Sequence, residues 1–167
     1  MGLPLTAAAG GYQGIAELLL LHYKADPNIV AGWYDTALQA AAAGGHQGVA
    51  ELLLQQYNAD PNIVAGHYGT ALQAAAAEGH QGVAELLLQQ YNADPNIVAG
   101  HYGTALQAAA AKGHQGVAEL LLQHNADPNL GRVSSNVAIK TKNRTIQSGW
   151  KSLRNRLGGR SSLKTDD

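Results

Sequence analysis

Cysteine is absent from the 167 residues, and so is phenylalanine. The first absence removes disulfides, thiolate metal sites and cysteine nucleophiles. The second means that any core is built from small, uniform side chains, and the apolar content comes mainly from Ala and Leu. Serine is missing from residues 1–129, and no glycine-rich phosphate loop follows a strand pattern. No apolar run approaches the roughly 18–20 residues of a membrane span. The N-terminus, Met1-Gly2-Leu3-Pro4-Leu5, has neither the basic n-region nor the long h-region of a signal peptide. A cytoplasmic protein is therefore expected, with the nucleus as the other open compartment. Basic residues are almost missing from residues 1–129, where Lys24 and Lys112 face ten acidic residues for a net −8. Residues 130–167 hold nine basic residues against Asp166 and Asp167, a net +7. The overall −1 hides this split, which marks a domain boundary just after Asn129.

What is present is repetition. Gly45–Ala77 and Gly79–Ala111 are the same 33 letters in the same order, and Gly44 and Glu78 before them differ. The period of 34 extends backwards with substitutions to Gly11–Ala43 and forwards through Gly113–Asn129. Such a period predicts a stack of small units in which each contacts its neighbours, offering a long surface and few enclosed pockets.

One unit shows how the stack is built. Thr70-Ala71-Leu72-Gln73 is a capping box, in which the Thr hydroxyl and the Gln side chain satisfy each other's backbone N–H groups. An alanine run, the best helix former, follows, and Gly79 stops that short helix. His80 opens a second helix whose apolar stripe is Val83, Leu86, Leu87 and Leu88, with Glu85 and Gln89 turned outward. Asn92 suits the left-handed residue that ends a helix, and Asp94-Pro95 prevents resumption. The stretch Asn96–Gly103 is extended and turn-rich and leads to the next box at Thr104. Each unit therefore reads as a short helix, a longer helix and a projecting loop. Alanine faces the short helix because another helix must approach it closely.

These residues resemble the ankyrin repeat. The family's T-P-L-H-x-A-A appears as Thr70-Ala71-Leu72-Gln73-Ala74-Ala75-Ala76, its G-H-x-x-x-V-x-x-L-L as Gly79-His80 through Leu86-Leu87, and its G-A-D-x-N as Asn92-Ala93-Asp94-Pro95-Asn96. The resemblance covers residues 3–129. The G-T-A-L-Q-A-A form with an aromatic in the loop further resembles the ankyrin arrays of fungal NOD-like receptors and related fungal proteins. Ala replaces the family's Pro at the first helical position and Gln replaces His in the box. The first three units carry one extra residue before the Asn, as in Gln55-Gln56-Tyr57-Asn58, which the fourth, Gln123-His124-Asn125, lacks. The first unit starts at Leu3-Pro4 without a capping box and is expected to have an incomplete first helix.

Candidate chemistry is sparse. His46, His80 and His114 recur because the repeat does. Packed helices place equivalent atoms about 10 Å apart, whereas zinc needs its ligands near 2 Å from one centre. A His that opens helix two and bonds the neighbouring loop is the plainer reading. Asp26, Asp60, Asp94 and Asp127 sit in the repeat's turn, where Asx bonding explains them, and Glu17, Glu51, Glu85 and Glu119 recur on the outward face of helix two. The chain is expected to be no enzyme, with no cofactor, metal or small-molecule substrate.

The informative positions are those where units disagree. Trp33 becomes His67 and His101, Asp35 becomes Gly69 and Gly103, and Gly44 becomes Glu78 and Lys112. In ankyrin repeats the matching positions are the finger loop and the end of helix one, which line the concave binding surface. The resemblance therefore implies a partner-binding set of Trp33, Tyr34, Asp35, Gly44, His67, Tyr68, Glu78, His101, Tyr102 and Lys112. Drift at tolerant surface positions would give the same pattern. Tyr34, Tyr68 and Tyr102 read equally as contact aromatics or as rings packed on the next finger.

In the basic tail, Ile146, Trp150, Leu153 and Leu157 lie on one helical face, with Lys151, Arg154 and Arg156 on the others, over residues 145–157. Three readings stand: a cap docked on the exposed end of unit four, with Trp150 against Leu120–Leu122; a segment that binds a partner or anionic lipid; or a disordered terminus without a role. Nucleic acid is disfavoured because the adjoining −8 repels phosphate.

The sequence thus predicts an all-α fold, an ankyrin-repeat solenoid of about four helix-turn-helix units over residues 1–129 with projecting finger loops, plus a basic, mostly disordered tail over 130–167. The function it implies is recognition of another protein through the concave surface. Two alternatives remain, a structural or spacer fragment of a larger receptor-like protein, and an adaptor that meets an anionic membrane or acidic partner through the tail.

Overall fold

The computed structural model describes residues 3–30 and 36–130. Among them are eight α-helices and no extended strand: α1 (Leu3–Ala9), α2 (Gln13–Tyr23), α3 (Ala37–Ala43), α4 (Gln47–Tyr57), α5 (Ala71–Glu78), α6 (Gln81–Gln90), α7 (Ala105–Lys112) and α8 (Gln115–Gln123). The short helices α1, α3, α5 and α7 pack side by side in one layer and the longer ones in a second. The array is an all-α repeat solenoid of four helix pairs.

All three capping boxes form. In the third unit Gln73 N donates to Thr70 Oγ1 at 3.2 Å and Thr70 N donates to Gln73 Oε1 at 2.7 Å. Thr36 and Thr104 make the same exchange. The second helices end on Asn58, Asn92 and Asn125 with φ of 53°, 51° and 64°, as their left-handed role requires. The extra residue of the earlier units is absorbed there. Ala59 and Ala93 close six residues back, on Leu53 O and Leu87 O, whereas Ala126 closes five back, on Leu121 O.

The first unit departs from expectation. Its first helix is not incomplete: α1 spans seven residues, the same as α3. Leu5, Ala7 and Ala8 are buried, and packing against α3 sustains the helix without a capping box.

The core repeats in register. Leu38, Leu72 and Leu106 are buried in the short-helix layer, and Leu53, Leu87 and Leu121 in the other, each at 1% exposure or less. A fully buried Leu contributes about 1.5–3 kcal/mol. Ala74, Ala75 and Ala76 are wholly buried, so the alanine run lets α3 and α7 approach α5 from either side.

Polar ladders fix the stacking. His46, His80 and His114 place Nε2 at 2.9, 2.9 and 3.1 Å from the carbonyls of Ala9, Ala43 and Ala77, one unit back. The neighbour they reach is the end of the preceding short helix, not a loop. Asn28, Asn62 and Asn96 accept from the backbone N–H of Asp60, Asp94 and Asp127 at 2.7–2.8 Å. Each Asp carboxylate accepts from the N–H two residues on, the expected Asx turn.

Candidate functional site

The finger loops are built on a tight closure. Ala65 N donates to Gly69 O at 2.8 Å and Gly69 N to Ala65 O at 3.1 Å, and in the next finger Ala99 N donates to Gly103 O at 2.7 Å across the equivalent bridge. Gly69 sits at φ +98°, and a Cβ there would come within 2.9 Å of the next finger's backbone at Ala99 and Gly100. Side chains rarely adopt that φ, so a glycine serves both the turn and the close approach.

Successive fingers are joined. His101 N donates to His67 O at 2.8 Å. The two imidazoles stack, with centroids 5.0 Å apart and planes at 18°. This corrects the expected 10 Å spacing, which holds for helix axes. The finger tips are linked backbone to backbone, as neighbouring strands are at about 4.8 Å. Parallel rings present faces to one another rather than ring nitrogens to a shared centre. Among the described residues no group of three or more His, Asp or Glu side chains is placed to hold a metal.

Tyr68 and Tyr102 lie half-buried against the histidines. Tyr102 meets His67 and His101 edge-on, at 6.2 and 5.1 Å, and Tyr68 meets His67 at 5.7 Å. The Tyr68 hydroxyl donates to Glu78 Oε1 at 2.9 Å. Lys112 Nζ lies 5.8 Å from the Tyr102 ring centroid, near the outer limit of a cation–π contact. Glu78 and Lys112, two of the residues that vary between units at the end of helix one, therefore each engage the tyrosine of their own finger.

The structure thus brings His67, Tyr68, Glu78, His101, Tyr102 and Lys112 into one row. The histidines and the two charged side chains are exposed and the tyrosines half-buried. Gly44, the third helix-end position, caps α3 and lies beside the His46 ring. Trp33, Tyr34 and Asp35 lie outside the described residues, as do Ile146, Trp150, Lys151, Leu153, Arg154, Arg156 and Leu157. Of Leu120–Leu122, expected to form an exposed end face, Leu120 and Leu121 are buried at 6% and 0%, and only Leu122 is half-exposed.

Two glutamines, Gln39 and Gln73, have a role beyond their caps that went unassigned from sequence. Gln39 and Gln73 are 1% exposed. Gln73 Nε2 donates to Ile97 O, Ala99 O and Gly103 O at 3.1, 3.2 and 2.5 Å, and Gln39 repeats this on Ile63, Ala65 and Gly69. Each glutamine caps its own helix and anchors the next finger. The signal was a cap residue recurring with an unused amide group.

A family model described as ankyrin repeats (3 copies) matches residues 5–99, and one described as ankyrin repeat matches residues 102–131. Comparison with curated proteins finds no match.

Proposed function

Because the chain belongs to the ankyrin-repeat family, whose repeats generally act as protein–protein interaction modules, we propose that it binds a partner protein through its finger row and helix-one ends, the concave side of such an array. The observation that carries this reading is the row of stacked His67 and His101, flanked by Tyr68 and Tyr102 and by Glu78 and Lys112 of opposite charge. Rings already fixed by their neighbours lose little freedom when a partner arrives. The acidic and basic side chains give a partner a direction along the row. The Gly69-Thr70-Ala71-Leu72-Gln73-Ala74-Ala75 form with Tyr68 before it supports a place beside the arrays of fungal NOD-like receptors, in the cytoplasm.

A displayed peptide library selected on the whole protein tests this. Binders should lose at least about tenfold in affinity when His67 and His101 become Ala, or when Glu78→Lys and Lys112→Glu swap the charges. Glu51→Ala and Glu85→Ala, on the outer helices, should change nothing. Binders that respond only to the outer pair would overturn the assignment. No enrichment at all would favour the spacer reading, in which two identical fingers serve stacking alone.

A further inference from the structure

Ile15 and Leu18 on α2 are 52% and 51% exposed. Their counterparts 34, 68 and 102 residues on are Val49, Val83 and Val117, and Leu52, Leu86 and Leu120, all at 6% or less. Val117 and Leu120 belong to the last unit of the array and are buried all the same. What covers this pair is therefore the preceding unit. The opposite face is identified by the same logic. Ala42, Ala76, Leu54 and Leu88 are buried, whereas Ala110 and Leu122 at the same register are half-exposed. Leu20, in the first unit, is buried at 3%, so the set at this register is covered by the following unit.

The two ends of the array hence carry the two halves of a junction the molecule already makes three times. Smaller features agree. Gln13, Gln47 and Gln81 bring Oε1 to 3.0, 2.8 and 2.7 Å from where a Cβ would stand on Gly48, Gly82 and Gly116, one unit on. The matching seat at Gly14 has nothing within 4 Å, and Gln115 is the glutamine at the far end whose register would fill it. The next rung of the asparagine ladder would join Asn129 to the N–H of Asp26. One element is missing: the histidine that latches each internal junction is replaced by Tyr12, whose ring lies against Gly10.

We propose that the array associates head to tail with a second copy of itself, the α2 face of one copy seating on the α7–α8 end of the next. The contact is heterologous, so it leaves one free face at each end and extends into short filaments instead of closing. Lacking the histidine latch, it is weaker than an internal junction and shows at high protein concentration.

Light scattering on the full-length chain over a concentration series tests this. The average mass should climb above 17.4 kDa. Leu18→Glu and Leu122→Glu, on opposite faces, should each hold it at the monomer value. An equimolar mixture of the two should give a species of twice that mass and nothing larger, because one intact pair of faces remains. Tyr12→His should tighten association roughly two- to tenfold, the worth of one hydrogen bond. Thermal melts unchanged from wild type show that the variants fold, and Ile15→Lys replaces Leu18→Glu if that variant melts early. A wild-type chain that stays monomeric at every concentration overturns the proposal. So does a dimer lost with Leu18→Glu but kept with Leu122→Glu, which would be symmetric through α2.

Discussion

Gln73 uses both ends of its amide. Oε1 accepts from Thr70 N, and Nε2 is shared among three carbonyls of the following finger. Thr70→Ala removes one cap acceptor and should cost about 1 kcal/mol. Gln73→Ala removes the cap partner and the amide shared by the part-buried carbonyls of Ile97, Ala99 and Gly103, of which Gly103 O keeps the Ala99 N–H; at about 0.5–1.5 kcal/mol for each bond lost, its urea midpoint should fall below that of Thr70→Ala. Equal midpoints would mean that the finger does not depend on the glutamine. A pair of glycines separates backbone strain from packing. Gly79 and Gly113 have nearly equal φ, +79° and +81°, but a Cβ at Gly79 would meet the His114 ring at 2.5 Å, whereas Gly113 has nothing within 4 Å. Gly113→Ala should cost only the left-handed strain, about 1–2 kcal/mol. Gly79→Ala should cost more by whatever it takes to displace a latch histidine, read as a larger drop in melting temperature. If the two drops are alike, the latch contributes nothing.

At the scale of elements, position in the stack decides the worth of a residue. Leu19, Leu53, Leu87 and Leu121 share one register; Leu87 is fully buried, and Leu19 on α2 is half-exposed. Leu87→Ala should cost about 2–5 kcal/mol, a large share of the roughly 5–15 kcal/mol a domain has in all. Leu19→Ala should cost clearly less, with the difference visible in paired urea titrations; equal losses would deny the nearest-neighbour account. Elements of this kind were legible in the sequence because their signals are local. Thr-x-x-Gln, the alanine run, the Leu stripe and the left-handed Asn each act within a few residues. What was not legible is set between units. That α1 is as long as α3 follows from the packing of Leu5, Ala7 and Ala8, which no capping signal announces.

At the scale of the whole molecule, the candidate site was half legible for the same reason. Two units identical in 33 letters make any disagreement stand out, so His67, Glu78, His101 and Lys112 could be picked out. The bond from Tyr68 to Glu78 and the closing of finger tips to 5.0 Å could not be, because spacing along the chain gives the helix separation and says nothing of how loops bond to one another. The ladders of His, Asn and Gln all run from one unit to the next, so the interior units are held from both sides and the first from only one. Local opening should therefore be graded along the array. Backbone amides of α5 and α6 should exchange most slowly with deuterated water. Those of α1 and α2 should exchange faster, since Ile15 and Leu18 lack the cover their counterparts have. Hydrogen exchange read by mass spectrometry on peptides from each helix pair checks this at low protein concentration. Uniform protection from α1 to α8 would mean that the array opens as one block, and that its stability does not reside in the junctions.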